Sequence, residues 1–148
     1  MHFGNSTPGP WQHNPQNPSR LQGPKDETIG ALYGHVVGID NQFTNARLMA
    51  AAPTMYQYLS TQSDDKSTSI IEDISSDTLA SSWTHTDDNP RLIKEDSTTL
   101  ASVFGGIQGE LEQRDNARLI VAAPALRDYV QQKASNGDLE AVEIIALL

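Results

Sequence analysis

A chain of 148 residues is long enough for one domain or two very small ones, and its lack of cysteine excludes disulfides and thiolate metal sites, as fits an intracellular protein. The formal net charge of −9 argues against sequence-independent binding of nucleic acid, but it leaves open binding to a basic protein surface, including mimicry of DNA. No stretch approaches the roughly 18 apolar residues of a membrane span, and residues 1–20 lack the apolar run of a signal peptide.

An arm rich in Pro and Asn occupies residues 1–27. Its prolines exclude a helix, and Trp11 within it is expected to anchor the arm on the domain surface. The glycines that bound residues 28–33 predict a strand there. Residues 34–38 are predicted as a loop or hairpin, with Val36, Val37 and Ile39 as the edge of a second strand.

From about Asn41 the pattern predicts a helix, with Asp40, Asn41 or Thr44 as its N-cap. Pro53 interrupts the backbone ladder, so we expect a kink or a second helix that begins at this proline. The alanines before it are expected to let the helix pack close to its neighbour. The apolar face of the helix consists of Leu48, Ala52, Met55 and Leu59.

The remaining part of the first half is polar. Residues 60–69 are predicted to form a loop, and residues 70–74 a short helix in preference to a strand. Residues 75–82 are then expected to be a linker.

The second half repeats the first with residue numbers that are higher by 71, which we call the repeat offset. The sequence NARLMAAAP at residues 45–53 returns as NARLIVAAP at residues 116–124, and with a slip of one position Trp11-Gln12-His13 aligns with Trp83-Thr84-His85. Such a period marks an internal duplication, with one unit in residues 1–74 and another in residues 75–148. Because each half alone would be marginally stable, we expect the halves to pack about a pseudo-twofold axis as one compact domain.

The duplication predicts the elements of the second unit. Strands are expected near residues 91–94 and 100–104, a loop at 105–109, and helices from 111 to 133 that are interrupted at Pro124. Asn136-Gly137 ends the helix, and Asp138 caps a last one. The apolar residues of the long helix are Leu119, Ala123, Leu126 and Val130, and those of the last helix are Leu139, Val142, Ile145 and Ala146. The last face is expected to pack on the first unit or on another chain, which includes a homodimer.

Pairs of residues that recur in both units are the candidate ligand-binding residues. Arg47 and Arg118 lie on helices, each on the same flank as Tyr58 or Tyr129. They form either structural contacts or an anion site in a symmetric pocket between the units. The tryptophan–histidine pairs are either packing contacts at the sheet edge or ligand-binding pairs. These pairs are Trp11 with His13 and Trp83 with His85.

No motif indicates catalysis or a cofactor. The histidines lack the spacing of a metal site, and the chain has neither a nucleophile elbow nor a cysteine nucleophile. The acidic pairs Glu72-Asp73, Asp87-Asp88 and Glu95-Asp96 do not recur, which favours solvated surface over paired-carboxylate chemistry. The glycines of residues 105–109 fit turn glycines better than a phosphate-binding loop. We therefore expect a protein that is not an enzyme, with no metal and no cofactor.

Three motifs together resemble a group of small tailed-phage accessory proteins. They are Thr7-Pro8-Gly9-Pro10-Trp11, Ala31-Leu32-Tyr33-Gly34 and the NARLMAAAP stretch at residues 45–53. The second unit departs from the group's pattern, because Ala80-Ser81-Ser82 precedes Trp83 in place of the proline-rich lead. The resemblance implies expression in the cytoplasm of a bacterial host, and it supplies no catalytic residues.

Three functional hypotheses follow from these observations. The first is a phage accessory protein that binds and blocks a host protein, a defence component, in immune evasion. The second is a sponge that sequesters a nucleotide immune signal between the units, and the third is a minor structural or assembly protein of the virion. The expected fold is α+β, with two pseudosymmetric repeats, each a small antiparallel sheet followed by a proline-interrupted helix pair around one shared core. Direct binding of nucleic acid or of a membrane is not expected.

Overall fold

One antiparallel sheet contains all six strands that the structure describes. The computed structural model describes residues 3–14, 17–34, 38–87, 91–104 and 109–148. The strands are β1 (Gln12–Asn14), β2 (Asn17–Gln22), β3 (Thr28–Leu32), β4 (Trp83–His85), β5 (Arg91–Glu95) and β6 (Thr98–Val103). Their order is β1-β2-β3-β6-β5-β4, so β3 and β6 join the two halves and β1 and β4 lie at the edges.

Four helices in the described part of the chain complete the fold, and the predicted α+β class is confirmed. They are α1 (Ile39–Ser60), α2 (Asp65–Ser76), α3 (Gly109–Ser135) and α4 (Leu139–Ile145). The two long helices pack on each other, α1 also contacts β1 to β3, and α3 contacts β4 to β6. None of these helices, over the residues described, has the length and apolar character that crossing a membrane requires.

The predicted apolar faces of α1 and α3 are confirmed as the centre of the core. All eight residues of these faces are buried, and both Ala52 and Ala123 have no exposed surface. Their small side chains leave room for the neighbouring helix, since larger ones would separate the two helix axes. The same core receives Ile29, Ile93 and Val103 from the sheet.

Of the two alternatives expected at the prolines of the long helices, a second helix that begins at the proline is wrong. Pro53 lies inside α1 and Pro124 lies inside α3, and each helix continues well beyond its proline. A proline inside a helix costs about 3 kcal/mol, whereas each large apolar side chain that is fully buried contributes about 1.5–3 kcal/mol. The buried side chains on both sides of each proline therefore outweigh the lost backbone hydrogen bond.

The start of α1 also differs from the prediction. The N-cap is Gly38, at φ 84°, and no side chain caps this end of the helix. Thr44, one of the predicted caps, instead donates its hydroxyl proton to the carbonyl of Asp40. Ile39 is the first residue of the helix, so its assignment to a strand edge is wrong. Val36 and Val37 lie outside the described residues, as do residues 105–108 of the loop predicted in the second unit.

The arm contains two strands that were not predicted from its composition. The first of them, β1, lies at the edge of the sheet, where one side of the strand needs no partner, whereas β2 pairs with both β1 and β3. The predicted loop at residues 60–69 is also too long. The side chain of Asp64 accepts a hydrogen bond from the amide of Ser67 at 2.7 Å and caps α2, which confirms the helix over residues 70–74.

The predicted last helix and its N-cap are confirmed, but most of its predicted apolar face is not buried. The carboxylate of Asp138 accepts a hydrogen bond from the amide of Ala141 at 3.2 Å. The residues of α4 that face the core are Ala141 and Ile144, while Leu139 is 78% exposed. Of the predicted face, Leu139, Val142 and Ala146 are exposed and so wrongly assigned, whereas Ile145 is partly buried against the core.

The arm binds α3, which belongs to the other half of the chain. The amide of Thr7 donates to Oδ1 of Asn116 at 2.7 Å, and Nδ2 of Asn116 donates to the Thr7 hydroxyl at 2.9 Å. The amide of Asn5 donates to Asp115 at 2.8 Å, and the indole of Trp11 donates to the carbonyl of Thr7 at 2.9 Å. Trp11 is 5% exposed, which confirms its role as an anchor of the arm.

Candidate functional site

A groove lies between the arm and α1, and it contains three of the predicted ligand-binding residues. We call it the Trp11 groove. Its volume is about 320 Å³. It is lined by Pro10, Trp11, Gln12, His13, Arg47, Ala50, Ala51, Thr54 and Leu147. The arm places Trp11 and His13 on one side, α1 places Arg47 on the other, and Leu147 follows α4.

The ionisable groups of the Trp11 groove are one guanidinium and one imidazole. The side chain of Arg47 lies over the ring of Phe43, with 5.8 Å from Cζ to the ring centroid, and Arg47 is exposed to solvent. The Nδ1 atom of His13 is buried and has no hydrogen-bond partner among the described residues. Burial and the positive charge of Arg47 lower the pKa of His13 below its usual value. None of the described residues that line the groove carries a negatively charged side chain.

The equivalent residues of the second unit lie around a carboxylate. Nε2 of His85 is 3.1 Å and 3.2 Å from the two carboxylate oxygens of Asp77, and Nε of Arg118 is 3.9 Å from one of them. A second guanidinium nitrogen of Arg118 donates to the carbonyl of Ser75 at 3.2 Å. Asp77 is the C-cap of α2, at φ 58°. Its position at the helix end holds its carboxylate between the histidine and the arginine.

The two predicted tyrosines contact each other and donate hydrogen bonds to the carboxylates that cap the short helices. The ring centroids of Tyr58 and Tyr129 are 6.4 Å apart. The hydroxyl of Tyr58 donates to Asp138 at 2.7 Å, and that of Tyr129 donates to Asp64 at 2.5 Å. Each tyrosine of a long helix thus bonds the N-cap carboxylate of the short helix in the other half of the chain.

These contacts explain the perturbed ionisation of the tyrosine cluster. Burial and the nearby carboxylates raise the pKa of both Tyr58 and Tyr129. The hydrogen bond from Tyr129 is the main cause that lowers the pKa of Asp64, and the hydrogen bond from Tyr58 has the same effect on Asp138. All four shifts arise from hydrogen bonds and burial that join helices.

The predicted site residues therefore fall into three separate surroundings. Trp11, His13 and Arg47 line the groove, and His85 and Arg118 contact the carboxylate of Asp77. The two tyrosines donate hydrogen bonds to the aspartates that cap the short helices. Trp83 is 4% exposed, and its backbone amide donates to the hydroxyl of Ser81. His13 and His85 lie on the edge strands β1 and β4, which agrees with the alternative of a packing contact at the sheet edge. The structure does not bring Arg47 and Arg118 to the same carboxylate or the same groove.

Sequence reasoning missed Asp77 and Asp64, and it identified Asp138 only as a helix cap, without its contact to a tyrosine. Asp77 has no acidic counterpart in the first unit, so a search for residues that recur could not find it. Asp64 and Asp138 do recur as caps, but their separation exceeds the repeat offset by three positions, because the two connecting segments differ in length. An alignment that allows a gap after Tyr58 would have paired them.

Other candidate features form no site among the residues described. No group of three or more His, Asp or Glu side chains there could hold a metal ion. Glu95 and Asp96 are exposed, as predicted for solvated surface, while Asp88 lies outside the described residues. Comparison of the chain with protein-family models, characterised proteins and solved structures returned no significant match.

Proposed function

We propose that the protein is a non-enzymatic phage accessory protein that binds and blocks a host protein in the cytoplasm of the infected bacterium. The Trp11 groove is its contact site, and the host protein is a component of defence. The observation that carries this proposal is a groove with apolar walls that is lined by one exposed arginine and one histidine. The phage-like motifs support the biological setting, and Trp11, which ends the first motif, lines the groove.

The ionisable groups outside the groove support binding in preference to catalysis. Perturbed pKa values mark both active sites and structural networks of ion pairs. Here the shifted tyrosines and aspartates bond each other between helices, and His85 is held by Asp77. Groups engaged in this way stabilise the fold and are not free to transfer protons to a substrate.

We also propose that the fold is an internal duplication about a pseudo-twofold axis between β3 and β6. The register pairs Gly30 with Val103, Ala31 with Ser102, and Leu32 with Ala101. Under the repeat offset Ala31 corresponds to its own partner Ser102, and the two flanking pairs exchange with each other. The proposed axis therefore passes between Ala31 and Ser102.

Contacts on both sides of that axis support the duplication. The amide of Tyr33 donates to the carbonyl of Leu100, and the amide of Phe104 donates to that of Ile29. Gln42 donates its Nε2 to the carbonyl of Leu32 at 3.0 Å, and Gln113 donates to that of Val103 at 2.9 Å. All members of these pairs are related by the repeat offset.

The proposed function is tested by affinity purification of the tagged protein from infected bacteria. We expect one host protein in stoichiometric amount, which is inhibited when the purified phage protein is added to it. The variant Arg47→Ala should lose this protein, because it removes the exposed cation of the groove. The matched control is Arg127→Ala, which removes an exposed arginine that pairs only with Asp128 among the described contacts.

Two outcomes would contradict the proposal. Recovery of the protein in purified virions, with no host protein bound, would indicate a structural role. A thermal shift with cyclic or linear nucleotides that Arg47→Ala abolishes would instead indicate a nucleotide sponge.

A further inference from the structure

The Asp77 contact shows what kind of group a Trp-x-His strand and an Asn-Ala-Arg helix hold between them. In the second unit the side chain of His85 is only 6% exposed and that of Arg118 is 20% exposed, and their nitrogens lie 3.1 and 3.9 Å from the carboxylate of Asp77. Arg118 is also 3.9 Å from Asp115, which lies on its own helix. A carboxylate accepts hydrogen bonds through both oxygens, and it pairs with a guanidinium and an imidazole with a suitable geometry. Asp77 thus meets two side chains of the repeated motif.

The first unit keeps both basic side chains but has no such carboxylate among its described residues. His13 corresponds to His85, since His13 pairs with Leu21 and His85 pairs with Ile93, and both correspondences have the same slip of one position from the repeat offset. Arg47 corresponds to Arg118 within the repeated helix. Whereas Asp77 at the end of α2 meets the motif of the second unit, the residue after α4 that lines the groove of the first unit is Leu147, which is apolar and 58% exposed.

We propose that the Trp11 groove binds the carboxylate of an aspartate or glutamate side chain of the partner protein, placed between Arg47 and His13 as Asp77 is placed between Arg118 and His85. This inference rests on the proposed function, because it names the chemical group that the same groove recognises. The carboxylate would accept a hydrogen bond from Nε2 of His13, the atom that corresponds to Nε2 of His85, and it would be a counter-charge for Arg47. The apolar walls formed by Trp11, Ala50 and Leu147 would contact the aliphatic part of the same segment.

A monoanionic carboxylate fits this groove better than a phosphate does. A phosphate group carries nearly two negative charges and three acceptor oxygens, which proteins commonly meet with several cationic donors. Among the described residues that line the groove, Arg47 is the only arginine or lysine. The net charge of −9 also repels a dianion more strongly than a monoanion.

The test is an NMR titration of the full chain with two short peptides that are blocked at both ends. One has a single aspartate between two leucines, and the other has asparagine in its place. We expect the aspartate peptide to shift the ring signals of His13 in a saturable manner, with a Kd on the order of 1 mM, as for a small fragment. The asparagine peptide and the Arg47→Ala variant should each bind about tenfold more weakly, because one charge-assisted contact is lost. The control variant Arg127→Ala should bind normally.

The variant Asp77→Gly provides an independent arm of the same test. Glycine adopts the positive φ of this position without strain, so the substitution removes the carboxylate and keeps the backbone. In this variant the aspartate peptide should also shift the ring signals of His85, which it leaves unchanged in the parent chain. A His85 response of equal size in both chains would show that the motif does not select a carboxylate.

Failure of this inference is distinguishable from failure of the proposed function. Equal binding of both peptides, no saturable shift of His13, or tighter binding of inorganic phosphate would each overturn the carboxylate site. The proposed function would survive those results if a host protein were still recovered and inhibited. Conversely, selective binding of the aspartate peptide without any host partner would keep the carboxylate site and remove the proposed function.

Discussion

The contact between the arm and α3 predicts a large difference between two equivalent asparagines. Asn116 and Asn45 occupy the same place in the repeated motif, but Asn116 is 2% exposed and makes two hydrogen bonds with Thr7, at 2.7 and 2.9 Å. Asn45 is only half-buried. The substitution Asn116→Ala removes both bonds and leaves the buried amide of Thr7 without its acceptor.

The magnitude follows from the groups that lose partners. The buried amide of Thr7 is left unsatisfied, at a cost of about 1–3 kcal/mol, and the loss of the second hydrogen bond costs about 1 kcal/mol, so Asn116→Ala should lower the free energy of unfolding by about 2–4 kcal/mol. For a chain of this size the melting temperature should fall by about 5–15 °C. Asn45→Ala should cost less than about 1 kcal/mol, as is usual for a side chain without buried partners.

Urea unfolding followed by circular dichroism measures both variants. If the arm also separates from α3 in Asn116→Ala, the slope of free energy against urea should decrease, because the native state then buries less surface. Equal losses of stability in the two variants would refute the reasoning, since the arm contacts only one of the two asparagines in this way. A loss below about 1 kcal/mol for Asn116→Ala would refute it equally.

Three further predictions concern the core and the helix contacts. Gln42→Ala and Gln113→Ala should each cost about 1–3 kcal/mol in chemical unfolding, with similar values, because each leaves one buried strand carbonyl without its donor. Ala123→Leu should lower the free energy of unfolding, measured by calorimetry, by about 1–3 kcal/mol, because the side chain at this position is fully buried. An unchanged melting temperature would contradict the close packing. The hydrogen bond from Tyr129 lowers the pKa of Asp64, so this carboxylate contributes stability above pH about 4 that is lost as the pH falls through the lowered pKa. Tyr129→Phe should therefore flatten the loss of stability in urea unfolding below pH about 4, and an acid profile that matches the parent chain would argue against the assigned cause.

The features that could be predicted from sequence depend on local patterns. The periodic spacing of Leu48, Ala52, Met55 and Leu59 identified the buried face of α1, because residues three and four apart share one side of a helix. Asp138 before an apolar segment identified the cap of α4 in the same way. The repeated stretch indicated that whatever holds for one half should be sought in the other.

The wrong predictions came from local rules that distant contacts override. Proline rules placed an interruption at Pro53, but burial of the helix on both sides maintains a continuous α1. The composition of the arm concealed β1 and β2, which form because strands further along the chain offer backbone partners. The second unit already predicted a strand over residues 91–94, and applying the repeat offset to the arm would have indicated β2.

The sequence by itself determined the α+β class, the buried faces of the two long helices and the recurrence of one stretch in both halves of the chain, since each of these depends on the spacing of residues along the chain. Only the tertiary structure decided that Asp77 reaches His85 and Arg118 while His13 and Arg47 line an open groove. Repeated motifs specify the same side chains, but the carboxylate of Asp77 comes from a segment whose sequence does not recur. Which segment arrives there depends on how the helices pack in three dimensions, and that packing makes two nearly identical motifs chemically different.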